Sequence, residues 1–86
     1  PAFTAMYLEA LADAGVQYGL TRDAAYRLGA KMICGTGKLY LENGTHPGVM
    51  KDAVCSPGGT TIRGVASLEK DGFRGAVIGA IDAIEG

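Results

Sequence analysis

The chain has 86 residues, 48% of them hydrophobic, 7% aromatic and 20% charged, which is too apolar for disorder and enough for one small domain with a thin stability margin. Eight Lys and Arg against nine Asp and Glu give a net charge of -1, which excludes a basic nucleic-acid footprint and a polybasic membrane patch. No apolar run reaches bilayer length and no signal peptide is visible, while two cysteines and one histidine are too few for a disulfide framework or structural zinc, so a soluble, reducing, cytoplasmic setting is expected.

The spacing predicts a helix over 3–18. Phe3, Met6, Tyr7, Ala10, Leu11, Ala14 and Tyr18 recur at helical intervals, Glu9, Asp13 and Gln17 form a single polar row, and Leu8, Ala12 and Val16 take another face. A helix apolar nearly all round must be buried. So short a chain has little to bury it with, so this segment reads as an interface helix. Gly19-Leu20 breaks the pattern, and Thr21 is an N-cap for a second helix over 22–42. Leu28, Met32 and Leu39 mark its apolar side, and Arg22, Arg27, Lys31 and Lys38 its wet one. Gly29, Gly35 and Gly37 each cost such a helix about 1 kcal/mol against Ala, a cost best offset where another helix crosses closely. Asn43-Gly44 is a C-terminal stop.

Pro47, after His46, starts a third, shorter helix reaching about Val54. Ser56-Pro57-Gly58-Gly59 then breaks the chain, and Thr60-Thr61 is the expected N-cap of a helix bearing Ile62, Val65, Ala66 and Leu68. A short strand beginning at Thr60-Thr61-Ile62 is the other option, but no alternation continues it. Asp71-Gly72 ends that helix, and a fifth runs from Phe73 through Val77, Ile78, Ile81 and Ile84. Five helices with short connections and no alternating strands make the chain all-α.

Few residues invite chemistry. Gly35-Thr36-Gly37-Lys38 fails as a phosphate loop, because Met32 stands where the first Gly is needed and Leu39 where Ser or Thr is needed. It fails as a dinucleotide motif too, with Tyr40 in the third Gly position and no strand before it. His46 is either a general acid or base, or a helix-start residue at the surface, and its place before Pro47 favours the latter. Cys55 has no base at a recognisable spacing and reads as a small apolar residue. The loop 56–61 is the strongest candidate. Pro57 stiffens its entry, Gly58 and Gly59 permit positive φ and close approach, and the next helix directs its unpaired N–H groups back at it. Such a loop fits a small anion, for instance a carboxylate. It fits equally well a plain helix-connecting turn.

The stretch His46-Pro-Gly-Val-Met-Lys-Asp-Ala-Val-Cys-Ser-Pro-Gly-Gly-Thr-Thr-Ile62, followed by Leu68-Glu-Lys-Asp-Gly-Phe-Arg74, closely resembles the signature region of pyrroline-5-carboxylate reductases. Pro1-Ala2-Phe3 with Glu9-Ala-Leu-Ala-Asp-Ala14 resembles that family's first dimerisation helix. The resemblance implies the C-terminal helical domain of a two-domain enzyme over 1–86, of the 6-phosphogluconate dehydrogenase C-terminal-like type, interlocked as a homodimer that can build a decamer. It also implies that an N-terminal Rossmann domain, absent from a chain opening at Pro1, binds NADPH or NADH, and that this piece alone is inactive. Carried over by position, it implies that backbone N–H groups around Gly58, Gly59 and Thr60, with Ser56 nearby, hold the substrate carboxylate. Thr61 would then bond the ring nitrogen as 1-pyrroline-5-carboxylate is reduced to proline. The alternative is a stand-alone helical oligomerisation module with no ligand.

Overall fold

The computed structural model describes residues 1–86 as five α-helices without a strand: α1 (Ala2–Gln17), α2 (Arg22–Asn43), α3 (Pro47–Ala53), α4 (Thr60–Lys70) and α5 (Phe73–Glu85). The all-α expectation holds, and the optional strand at 60–62 is instead the first turn of α4. The chain divides into two units, Pro1–Thr45 and His46–Gly86.

In the first unit the reversal between α1 and α2 is built by local chemistry. Gly19 takes φ 102, Leu20 N–H donates to Gly15 O and Gly19 N–H donates to Val16 O, both at 3.0 Å. This is a Schellman closure, which satisfies carbonyls that a helix end leaves bare. Thr21 then caps α2, its Oγ1 accepting from Ala24 N–H at 3.2 Å, as the sequence predicts. The two helices run antiparallel along a seam of small residues. A Cβ on Gly29 would meet Leu8 Cδ1 at 2.8 Å, and one on Gly15 would meet Ala25 Cβ at 3.1 Å. Ala12 and Ala25 are the buried hydrophobic residues.

An ion pair spans the turn, Arg22 Nη1 to Asp13 Oδ1 at 2.5 Å, with the guanidinium 5.8 Å from the Tyr26 ring centre. The hydrogen bond to Asp13 is the main cause of a raised Arg22 pKa. α2 ends where expected, at left-handed Gly44 (φ 64).

One expectation is corrected here. Gly29 sits at a helix crossing, but within this chain Gly35 and Gly37 do not: a Cβ on either would meet nothing within 4 Å. The α1–α2 seam ends before it reaches them. α1 is also not enclosed by its own chain. Leu8, Leu11 and Val16 are half-buried, while Met6 is 65% exposed and Tyr18 86% exposed.

The second unit has no buried residue at all. His46 caps α3, with Nδ1 accepting from Gly48 N–H at 2.9 Å, and Pro47 occupies the first turn as predicted. Gly72 (φ 76) turns the chain from α4 into α5. Arg74 and Glu69 pair across that turn at 3.0 Å. Val77, Ile78, Ile81 and Ile84 of α5 are all exposed.

Candidate functional site

The sequence Ser56-Pro57-Gly58-Gly59 folds as a tight turn. Gly59 N–H donates to Ser56 O at 3.1 Å, Pro57 supplies the preset φ of the first central position and Gly58 takes φ 68 at the second. These are the requirements of a type II turn, in which a left-handed second residue favours glycine. Gly59 is needed for a different reason. Its φ of -76 is open to any residue, but an added Cβ would lie 2.5 Å from Ser56 Oγ and 3.3 Å from Ser56 O. The serine hydroxyl lies over Gly59.

Two sequence expectations change at this point. Gly59, not Thr60 or Thr61, is the N-cap of α4, and no side chain bonds into the cap. The turn closes one residue earlier than hydroxyl preference suggests, placing both threonines inside the helix. Gly59 also has no N–H to offer a ligand, because Ser56 O already takes it. The amides of Thr60, Thr61 and Ile62, by contrast, occupy the first turn, whose N–H groups have no helical partner. No protein group accepts from them.

Ser56, Gly58, Thr60 and Thr61 are exposed and Gly59 is half-buried. The five proposed site residues fall within six consecutive positions, with three hydroxyls and a run of amides beside the positive end of a helix dipole. Such an arrangement can hold a carboxylate and present a hydroxyl to a neighbouring atom. It offers no strong acid or base. His46 is engaged as a cap, and Cys55 is a half-buried free thiol. Lys51 and Asp52 pair with each other at 3.4 Å.

Sequence reasoning did not single out Arg63. Its Nε donates to Gly59 O at 3.4 Å, reaching back over the first turn of α4. The available signal was its position, four residues after the cap, since helical side chains lean toward the N-terminus.

No group of His, Cys, Asp and Glu forms a metal site, and no helix is long and apolar enough to cross a membrane.

Residues 1–85 match the family described as pyrroline-5-carboxylate reductase dimerisation. A pyrroline-5-carboxylate reductase of Treponema pallidum is 60% identical over 83 residues, which are 96% of this chain and 32% of that protein. The Escherichia coli protein of that name is 53% identical over 81 residues, 94% of this chain and 30% of its own length. The crystal structure of Plasmodium falciparum pyrroline carboxylate reductase with NADP bound matches with a TM-score of 0.93 at 36% identity, covering 96% of this chain and 34% of that one. A 1-pyrroline-5-carboxylate reductase of Streptococcus pyogenes matches with a TM-score of 0.94, also at 36% identity, covering 96% of this chain and 32% of that one. The chain thus spans about a third of the length of the relatives it matches.

Proposed function

The chain belongs to the pyrroline-5-carboxylate reductase dimerisation family, and we propose that it supplies the self-associating helical domain and substrate-anchoring loop of an enzyme reducing 1-pyrroline-5-carboxylate to proline, the last step of proline biosynthesis. The observation that carries this reading is the Ser56–Gly59 turn opening onto the uncapped first turn of α4. The substrate is a small cyclic imine with one carboxylate. That carboxylate is matched by the amides of Thr60 and Thr61, with Gly58 and the Ser56 hydroxyl beside them. The Thr61 hydroxyl is assigned to the ring nitrogen. That nitrogen gains electron density during reduction, so a fixed donor there stabilises the transition state more than the ground state.

The chemistry that NADPH or NADH would supply is hydride donation, and these residues form no cradle of the dinucleotide-binding type. A dinucleotide cradle needs a strand feeding a glycine-rich turn. Here there is no strand, and Gly35 and Gly37 lie inside α2 with their amides in the helical ladder. The cofactor is therefore assigned mainly to residues outside these 86.

The partner is a second copy. Each unit leaves large apolar side chains uncovered, Met6 at 65% and Tyr18 at 86% exposed in the first, Ile78 at 62% and Ile84 at 65% in the second, and a second copy is the partner that would cover them. Such pairs are the units from which a decamer would be assembled. With a net charge of -1, these residues carry no excess of positive charge to draw nucleic acid or an anionic membrane surface.

One observation favours the second reading, an oligomerisation module without ligand: Gly59 N–H is already bonded within the turn. The deciding experiment follows NADPH or NADH oxidation by the full-length protein with 1-pyrroline-5-carboxylate. Turnover with proline as product is expected. Absence of turnover, with a stable dimer in sedimentation, would leave the module reading standing.

A further inference from the structure

Arg63 stands at the fourth position of α4 and grips the carbonyl of the residue that caps it, Nε to Gly59 O at 3.4 Å. Gly59 N–H is held as well, by Ser56 O at 3.1 Å. Both polar groups of this one residue are thus fixed, one by the turn before it and one by the helix after it. The Gly59 carbonyl belongs to the same planar trans peptide as the Thr60 amide, so its C=O and the Thr60 N–H point in opposite directions. Holding the carbonyl on the helix side aims the Thr60 N–H out of the helix end, toward the turn. A donor on the carbonyl also polarises the peptide and strengthens the N–H as a donor. Nothing in the protein accepts from the Thr60 N–H, and the Arg63 side chain bonds no carboxylate.

We propose that Arg63 is a positioning residue, which sets the direction and strength of the Thr60 amide that receives the substrate carboxylate. The proposal rests on the assignment of this loop to 1-pyrroline-5-carboxylate. It is distinct from direct electrostatic attraction, because it requires a donor at Gly59 O and not a charge. That difference makes it testable. Arg63→Met removes donor and charge but keeps an apolar stem, while Arg63→Gln keeps an N–H donor without charge.

In the full-length protein, Arg63→Met should raise KM for 1-pyrroline-5-carboxylate about two- to fivefold, the equivalent of one weak hydrogen bond, with kcat unchanged. Arg63→Gln should return KM close to the original value. In amide NMR the Thr60 cross-peak should move in Arg63→Met and move much less in Arg63→Gln. An unchanged KM in Arg63→Met, or a KM in Arg63→Gln as high as in Arg63→Met, overturns the proposal. If the unsubstituted protein turns over no 1-pyrroline-5-carboxylate, the substrate assignment falls. The Thr60 cross-peak then decides the clamp on its own: no shift in Arg63→Met overturns it.

Discussion

Leu8 of α1 lies so close to Gly29 of α2 that a Cβ on the glycine would come within 2.8 Å of the Leu8 Cδ1. Two effects oppose each other at this crossing. Ala in place of Gly favours the helix by about 1 kcal/mol, while crowding a packed seam costs about 1–3 kcal/mol. The methyl in the way is the movable end of a side chain, so crowding falls at the low end. Gly29→Ala should therefore lose up to about 1 kcal/mol in denaturant unfolding. In a Leu8→Ala background the same substitution should be stabilising, a reversal that a double-mutant cycle reads directly.

Gly35 gives the opposite expectation. A Cβ there meets nothing within 4 Å, so Gly35→Ala should gain about 1 kcal/mol from helix propensity alone. A loss of stability instead would show that a helix of another copy lies against this stretch of α2.

In the turn, Gly58 and Gly59 should fail for different reasons. Gly58→Ala forces a side chain onto φ 68 and should cost about 1 kcal/mol of local strain. Gly59→Ala places a Cβ 2.5 Å from Ser56 Oγ. Ser56→Ala, which removes that oxygen, should partly rescue Gly59→Ala and do nothing for Gly58→Ala. Thermal unfolding of the four variants checks this.

Thr61→Ala in the full-length protein should lower kcat/KM about fivefold to a hundredfold, the loss of one hydrogen bond worth about 1–3 kcal/mol. Thr61→Ser keeps the hydroxyl and should retain most of the activity. Equal kinetics for Thr61→Ala and the parent would remove Thr61 from the reaction.

Association should set stability. The unfolding midpoint should rise with protein concentration, as mass action requires when only the folded state pairs. Ile81→Asp, at an exposed position on α5, should shift sedimentation toward monomer and reduce helical signal together.

Most helix ends were legible because each is set by chemistry spanning only a few residues. Thr21 and Pro47 start helices, and Gly44 and Gly72 end them, as cap and φ preferences dictate. Thr60 misled because a hydroxyl residue after glycines reads as a cap, whereas the hydrogen bond from Gly59 to Ser56 closes the turn one residue sooner. The candidate loop was legible as a segment, through its Pro and Gly content and the threonines after it. The state of each amide was not, because it depends on which carbonyl the turn geometry brings near. The Asp13–Arg22 pair was hidden for a similar reason: it forms only once the Gly19 reversal folds nine residues of chain back. Gly35 and Gly37 show the limit of reading glycine as a crossing signal. Composition records that a side chain is missing, and only packing shows whether anything fills the space.

The only fully buried apolar side chains are those of Ala12 and Ala25, two methyl groups, while Leu8, Leu11 and Val16 are no more than half-buried. So little apolar burial is a weak counterweight to the chain entropy of 86 residues. Until it meets its twin, this helical region should therefore be open to proteases and chaperones. Cellular abundance should climb more steeply than synthesis rate, and a defective allele should poison its healthy counterpart by pairing with it.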